Sequence, residues 1–231
     1  MKILVTGGGG EEAVDQVRSL VNFSTGKTSA FLAEYFASKG HSVISLMGKR
    51  SVCPKESENL KTERYISFSQ LKEKLEMLCR KNRFDLVVHA AAVSDYSPDF
   101  IEVDGKNYSP GELNKIPSGS SLVIHMKKNP KLVDFIKEWN GTFSYLVAFK
   151  LTAGACSEER KEAVKKIFTA LPDSKKTADA VISNDLSEIK GDLHKFEIYG
   201  KEMQILKKGE NLNQMASSIL ELFSSSENLN F

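Results

Sequence analysis

Cysteine is scarce in this chain of 231 residues: Cys53, Cys79 and Cys156 are widely spaced and odd in number. That excludes a disulfide framework and a zinc knuckle, and implies reduced cytoplasmic thiols. Cys79 falls in the helical pattern LKEKLEMLCRK and Cys156 at a helix start. Neither has a positioned base, so a nucleophilic role is set aside. Long apolar runs are also missing. None approaches the ~20 residues of a membrane-spanning helix, and the apolar part of MKILVTGGGG is too short for a signal peptide. Nor is either charge in surplus: 32 Lys and Arg against 30 Asp and Glu leave a net +2, with no nucleic-acid footprint and no acidic tail. What remains, 41% hydrophobic and 27% charged, is a soluble globular protein. It reads as one domain over residues 1–231, with a frayed tail at about 224–231.

Strand and helix patterns alternate along the chain. Lys2–Thr6 is a continuous apolar run ending in glycines, as in a buried parallel strand. Thr28–Lys39 has helical spacing and stops at Gly40, and Ser42–Met47 is a second strand. Phe68–Lys81 predicts a helix, Asp85–Ala91 a strand, Leu122–Met126 an alternating strand and Pro130–Trp139 a short helix. Tyr145–Phe149 and Ala178–Ser183 predict strands flanking the charged helix Glu158–Leu171. Lys195–Tyr199 and Glu202–Leu206, joined at Gly200–Lys201, predict a hairpin, and Leu212–Phe223 a final helix. The pattern implies an α/β fold of Rossmann-like type: a mostly parallel sheet with helices on both faces and a C-terminal antiparallel hairpin. Asp99–Ser120 is the one long connection, and such a loop is more often functional than idle. Ligands in this class bind beyond the carboxyl ends of the strands.

Two phosphate-loop readings are weak. The Gly-x-Gly-x-x-Gly fingerprint fails at Glu12, and the one Tyr-x-x-x-Lys pair, Tyr35 and Lys39, lies in the first helix. An NAD(P)-dependent oxidoreductase is therefore a distant alternative. Gly26-Lys27-Thr28 matches the end of a P-loop, but its opening glycine would fall at Val21. As a helix start, Ser24-Thr25-Gly26-Lys27 still offers hydroxyls, N–H groups and a dipole suited to anions, unless Ser24 or Thr25 simply caps the helix. His41, His89 and His125 read as structural.

A third reading joins other segments. Asp15-x-x-Arg18-x-x-x-Asn22 precedes the first helix with more polar groups than a plain connection needs. Ala90-Ala91-Ala92 closes a strand with side chains small enough for a ligand to approach the backbone, and Asp95 follows. Lys115 lies in the long loop, and Lys127-Lys128-Asn129-Pro130 opens the next helix. Within this constellation Lys115 is a candidate for neutralising phosphate charge.

With these blocks, Thr6-x-Gly8-Gly9, Phe149-Lys150-Leu151 and Ser183-Asn184-Asp185 included, the chain resembles the phosphopantothenate–cysteine ligase (phosphopantothenoylcysteine synthetase) family of coenzyme A biosynthesis. The resemblance spans nearly the whole chain. It implies a Rossmann-like fold and a ligase that activates a carboxylate as an acyl-nucleotidylate with CTP or ATP and Mg²⁺, then passes it to cysteine. It further implies that Asn22 and Lys115 are catalytic, Lys115 on a flap carried by residues 99–120. Gly8, Gly9, Ser24, Gly26, Asp95, Lys115, Asn129, Pro130, Phe149, Lys176 and Asn184 take the nucleotide. Asn22, Ala91, Ala92 and Asp95 take phosphopantothenate, with Arg18 reaching in from the partner of a homodimer.

The chain departs from the family at Glu11, where an arginine is frequent, at Ser29 in place of glycine, and at Thr152 in place of glutamate. Lys175 and Lys176 match the family's lysines only in part. The choice between CTP and ATP stays open: Asn22-Phe23-Ser24 and Lys115-Ile116-Pro117-Ser118 are similar to ATP-using eukaryotic members, and the short first loop to CTP-using bacterial ones. The length implies a form without the fused decarboxylase. The departures also leave a competing reading, a nucleotide-binding protein on this scaffold with lost or altered activity.

Overall fold

Buried parallel strands must be apolar on both faces, and the apolar runs of this chain become such strands. The computed structural model describes residues 1–173 and 176–227. The first half contains β1 (Lys2–Gly7), β2 (Glu11–Ala13), β3 (Ser19–Val21), α1 (Lys27–Ser38), β4 (Ser42–Gly48), β5 (Leu60–Tyr65), α2 (Phe68–Asn82) and β6 (Leu86–His89). Next come β7 (Tyr96–Val103), β8 (Lys106–Tyr108), β9 (Leu122–Lys128), α3 (Ile136–Asn140), β10 (Tyr145–Thr152) and α4 (Ser157–Phe168). The chain continues with β11 (Ala180–Asp185), β12 (Ile189–Lys190), β13 (Leu193–His194), β14 (Phe196–Gly200), β15 (Ile205–Gly209) and α5 (Leu212–Glu227).

The main sheet has eight strands in the order β5-β4-β1-β6-β10-β11-β14-β15. The first six run parallel; β14 and β15 add the antiparallel edge. Strand order reverses between β1 and β6, which opens a crevice at their carboxyl ends. Successive residues of β1 feed two cores. Ile3 and Val5 pack with Leu32 and Phe36 of α1 and Met215 and Ile219 of α5. Leu4 packs on the other face with Leu71 and Leu75 of α2, Trp139 of α3 and Val164 of α4.

Four expectations change. The stretch 99–120 is not one long loop: β7 and β8 turn at Asp104–Gly105, both at positive φ, and pair with β9 in a separate three-stranded antiparallel sheet. Pro98 and a bulge between Pro98 and Phe100 interrupt the alternation that would have marked β7. The 130–139 helix splits into a 3₁₀ turn at Leu132–Asp134 and the short α3. The C-terminal hairpin turns over Lys201–Gln204, with Met203 at φ +60°, so its second strand starts at Ile205. Edge strand β5 and the small β2–β3 hairpin carry too few apolar residues to have been read. Of the expected frayed tail, residues 224–227 continue α5 and residues 228–231 lie outside the described residues.

Candidate functional site

The carboxyl end of β1 runs into four glycines, and their missing side chains are used for loop-to-loop contact. A Cβ on Gly9 would stand 1.9 Å from the Asn22 carbonyl oxygen, and one on Gly8 or Gly26 would meet Ser51 Cβ at 2.6 or 2.7 Å. Gly8 and Gly26 also sit at φ +79° and +72°. Ala92 N–H donates to Gly8 O at 2.8 Å, Asn22 N–H to Gly10 O at 3.3 Å, and Asn22 Nδ2 to Ala92 O at 3.4 Å. Gly8, Gly9, Asn22 and Ala92 therefore meet at the switch point between β1 and β6.

Helix α1 starts beside them. Gly26 occupies its N-cap with no side-chain cap bond, and Thr25 Oγ1 lies a long 3.4 Å from Lys27 N. Ser24 does not cap it. An uncapped first turn presents N–H groups and the positive end of the helix dipole, which favours an anion. Ser29 fills the space over Gly7, where a Cβ would lie 2.2 Å from its own Cβ, so this departure serves packing.

Two further departures are balanced locally. Glu11 Oε1 lies 2.9 Å from Arg50 Nε, so a guanidinium from the β4–β5 loop stands at this corner although the first loop carries a carboxylate. Thr152 donates its hydroxyl to Asp185 Oδ2 at 2.7 Å. Asp185, fully buried, also accepts from the Ser187 hydroxyl at 2.6 Å and from the Gly154 and Ala155 N–H groups. The Ser187 and Thr152 hydroxyls above all hold its carboxyl far below the usual range. A glutamate at 152 would set a second carboxylate against it.

On the far side of the switch point, Ala91 and Ala92 are half-buried and Asp95 is exposed, paired with Lys131. Asn129 is spent inside the protein: its Nδ2 donates to Ser94 O at 3.0 Å and to Ser97 Oγ at 2.8 Å, fixing the loop that carries Asp95. Pro130 is exposed beside a cleft of about 640 Å³ lined by Glu12, Phe68, Lys72, Lys127 and Lys128. Phe149, half-buried, faces the α1 side of the sheet. Asn184 is two residues beyond Ile182 of that same core, so its side chain shares the face. Its Nδ2 lies 3.0 Å from His194 Nε2, while its Oδ1 is buried without a hydrogen-bond partner among the described residues. Burial depresses the pKa of His194.

Lys176 is not brought to this place. It precedes β11, so it sits at the amino edge of the sheet, whereas the other residues gather at the carboxyl edge. Lys175 lies outside the described residues. Lys115 is exposed, on a loop held by the tip of the β2–β3 hairpin. Asp15 accepts from the N–H groups of Val17, Arg18 and Ile116, and Arg18 pairs with it in cis at 3.2 Å. The sequence marks Asp15 only as a polar position in a block shared with the family, and Arg50 and His194 not at all; Asp15 and Arg50 act through contacts distant in sequence.

Residues 1–225 match the family described as the DNA/pantothenate metabolism flavoprotein C-terminal domain. The chain is 29% identical over 202 residues to the coenzyme A biosynthesis bifunctional protein CoaBC of Thermococcus kodakarensis, covering 87% of this chain and 45% of that protein. To the Escherichia coli CoaBC it is 26% identical over 227 residues, covering 93% and 50%. It thus spans about half the length of these curated relatives. A crystal structure of the DNA/pantothenate metabolism flavoprotein from Streptococcus pneumoniae superposes with a TM-score of 0.84 at 28% identity, covering 98% of this chain and 99% of that one. The fold is shared as well by a Cab2 H337A mutant in complex with phosphopantothenate-cysteine, with a TM-score of 0.73 at 19% identity, covering 97% and 86%.

Proposed function

The chain belongs to the DNA/pantothenate metabolism flavoprotein C-terminal domain family, and from that premise we propose that it joins phosphopantothenate to cysteine at the expense of a nucleoside triphosphate. The observation that carries this reading is the convergence of Gly9, Asn22 and Ala92 with an uncapped helix start at the switch point. In the first step the phosphopantothenate carboxylate oxygen attacks the α-phosphorus of CTP or ATP. The bond to the β-phosphate oxygen breaks, and pyrophosphate leaves. In the second, the cysteine amine attacks the acyl carbon, the nucleoside monophosphate leaves and the amine loses a proton.

Attack of one anion on another needs positive charge arranged in advance. The N–H groups of α1 near Gly26 and the exposed Lys115 ammonium supply it. Asn22 Nδ2, a neutral donor, faces the developing oxyanion and cannot itself attack the intermediate. The nucleotide lies along Gly8, Gly9, Ser24 and Gly26, with Phe149 and Asn184 on the next strand ends; phosphopantothenate lies along Ala91, Ala92 and Asp95. Among the described residues no group of three or more His, Cys, Asp or Glu side chains is placed to cage a metal. Mg²⁺ arriving with the triphosphate, whose oxygens suit it as ligands, would supply further charge neutralisation there.

A homodimer accompanies this reading. Val17, Leu20, Val21 and Phe23, the last 99% exposed, line the hairpin next to Arg18 and offer an apolar surface for a second copy. Formation of the cysteine amide, followed by mass spectrometry with each nucleotide in turn, tests the function and names the nucleotide. Lys115→Gln should cut acyl-nucleotidylate formation to a small residual rate while nucleotide binding persists. Wild-type amide formation by that variant would remove Lys115 from the chemistry.

A further inference from the structure

The buried carboxylate of Asp15 is tied to a segment a hundred residues away. Its Oδ2 accepts the Ile116 N–H at 3.0 Å and lies 3.2 Å from Arg18 Nη1. Its Oδ1 accepts the Val17 and Arg18 N–H groups at 2.8 and 2.6 Å, which closes the turn of the β2–β3 hairpin. Arg18 Nη2 in turn donates to Ile116 O at 3.2 Å. Both polar groups of the Ile116 backbone are thus held by one acid–base pair, while its side chain is 2% exposed against Val14, Ile101 and Val103. Two backbone bonds reinforce the junction: Gln16 N–H to Leu113 O at 3.0 Å and Gly111 N–H to Val14 O at 3.2 Å.

The peptide unit is planar, so fixing the Ile116 N–H fixes the whole plane from the Lys115 Cα to the Ile116 Cα. Lys115 keeps an exposed side chain on a backbone tied by these bonds. We infer that Asp15, together with Arg18 in cis, is a positioning residue that sets the Lys115 backbone against the hairpin whose β3 strand leads into Asn22. The inference rests on the function proposed above, in which Lys115 and Asn22 act in one reaction. The carboxyl of Asp15 is itself held below its ordinary range, first by the Ile116 N–H, so it is a carboxylate whenever the enzyme works.

In Asp15→Asn the amide nitrogen, a donor, replaces an oxygen that now accepts from Ile116 and Arg18. Single-turnover pyrophosphate release should fall by about 10- to 100-fold, the scale of a displacement near 1 Å. KM for the nucleotide should stay within about threefold, because the glycine corner and α1 are untouched. Exchange of the Ile116 amide hydrogen should accelerate in the same variant. In a Lys115→Gln background, Asp15→Asn should lower the residual rate by no more than about twofold, since it acts through the lysine. Arg18→Lys, which keeps the charge but loses the two-pronged grip, should show a smaller loss in the same step and covers the case in which Asp15→Asn does not fold.

Full additivity of Asp15→Asn and Lys115→Gln, or an unchanged rate in Asp15→Asn and Arg18→Lys, would overturn the inference. If Lys115→Gln alone keeps the wild-type rate, what fails is the role given to Lys115, and the positioning role falls with it.

Discussion

Gly9→Ala should separate a catalytic defect from a folding defect. The backbone of Gly9 is not at positive φ, so alanine meets no conformational objection there. The objection is steric: its Cβ would lie 1.9 Å from the Asn22 carbonyl oxygen, where such contacts need at least 3.0 Å. One of the two segments must therefore retreat by about 1.1 Å, and neither is the free end of a flexible side chain. Overpacking of this kind costs about 1–3 kcal/mol, which leaves a domain of this size folded. A displacement of that size at a reacting group costs about 100-fold in rate. Gly10→Ala is the control, since its Cβ would meet nothing closer than Ile66 O at 3.5 Å. The assay is phosphopantothenate-dependent pyrophosphate release by both variants, with urea unfolding alongside. Near-wild-type activity in Gly9→Ala would refute the placing of Asn22 at the reacting centre; equal losses in both variants would refute the steric argument.

His89, buried at the end of β6 with Nδ1 2.9 Å from Thr6 Oγ1, has its pKa pushed down to about 4 by burial. Its folded pKa is depressed below the unfolded 6.5, so its contribution is complete above pH 6.5 and is lost as pH falls towards 4, amounting to about 2–3 kcal/mol at pH 4.5. Urea unfolding at pH 7 and 4.5 should show this loss in the wild type and most of it removed in His89→Gln; a loss of equal size in the variant would contradict it. At the opposite edge of the sheet, Asp179 holds the buried Lys137 at 2.6 Å and accepts the Leu146 N–H at 2.8 Å. Asp179→Ala should cost about 3–5 kcal/mol in urea unfolding while leaving kcat of the remaining folded enzyme unchanged, because it breaks a buried pair far from the site.

The parallel half of the fold was legible because burial on both faces forces apolar runs: KILVT, SVISLM and DLVVHAA can hardly be anything else. The edge strand β5 reads LKTERY, with polar residues where solvent permits them, and gave no such signal. The three-stranded sheet of β7, β8 and β9 stayed hidden for a related reason: it surrounds a core of only a few side chains, among them Val14 and Ile116 from distant loops. In the site, the family resemblance implied Gly8, Gly9, Asn22 and Ala92, which the fold gathers at one point. Lys176, a partial match to the family's lysines, precedes β11 and lies at the amino edge of the sheet, away from that point. The work of Asp15, Arg50 and Asn129 lies in contacts between segments far apart in sequence. No local pattern announces them.

Whether the chain activates phosphopantothenate is decided by pyrophosphate release from the purified chain with Mg²⁺ and CTP or ATP, measured with and without phosphopantothenate and then with cysteine. Release should require phosphopantothenate, precede any need for cysteine, and be followed by the amide once cysteine is added. Folded protein that binds nucleotide yet releases no pyrophosphate with either triphosphate would contradict the proposed function.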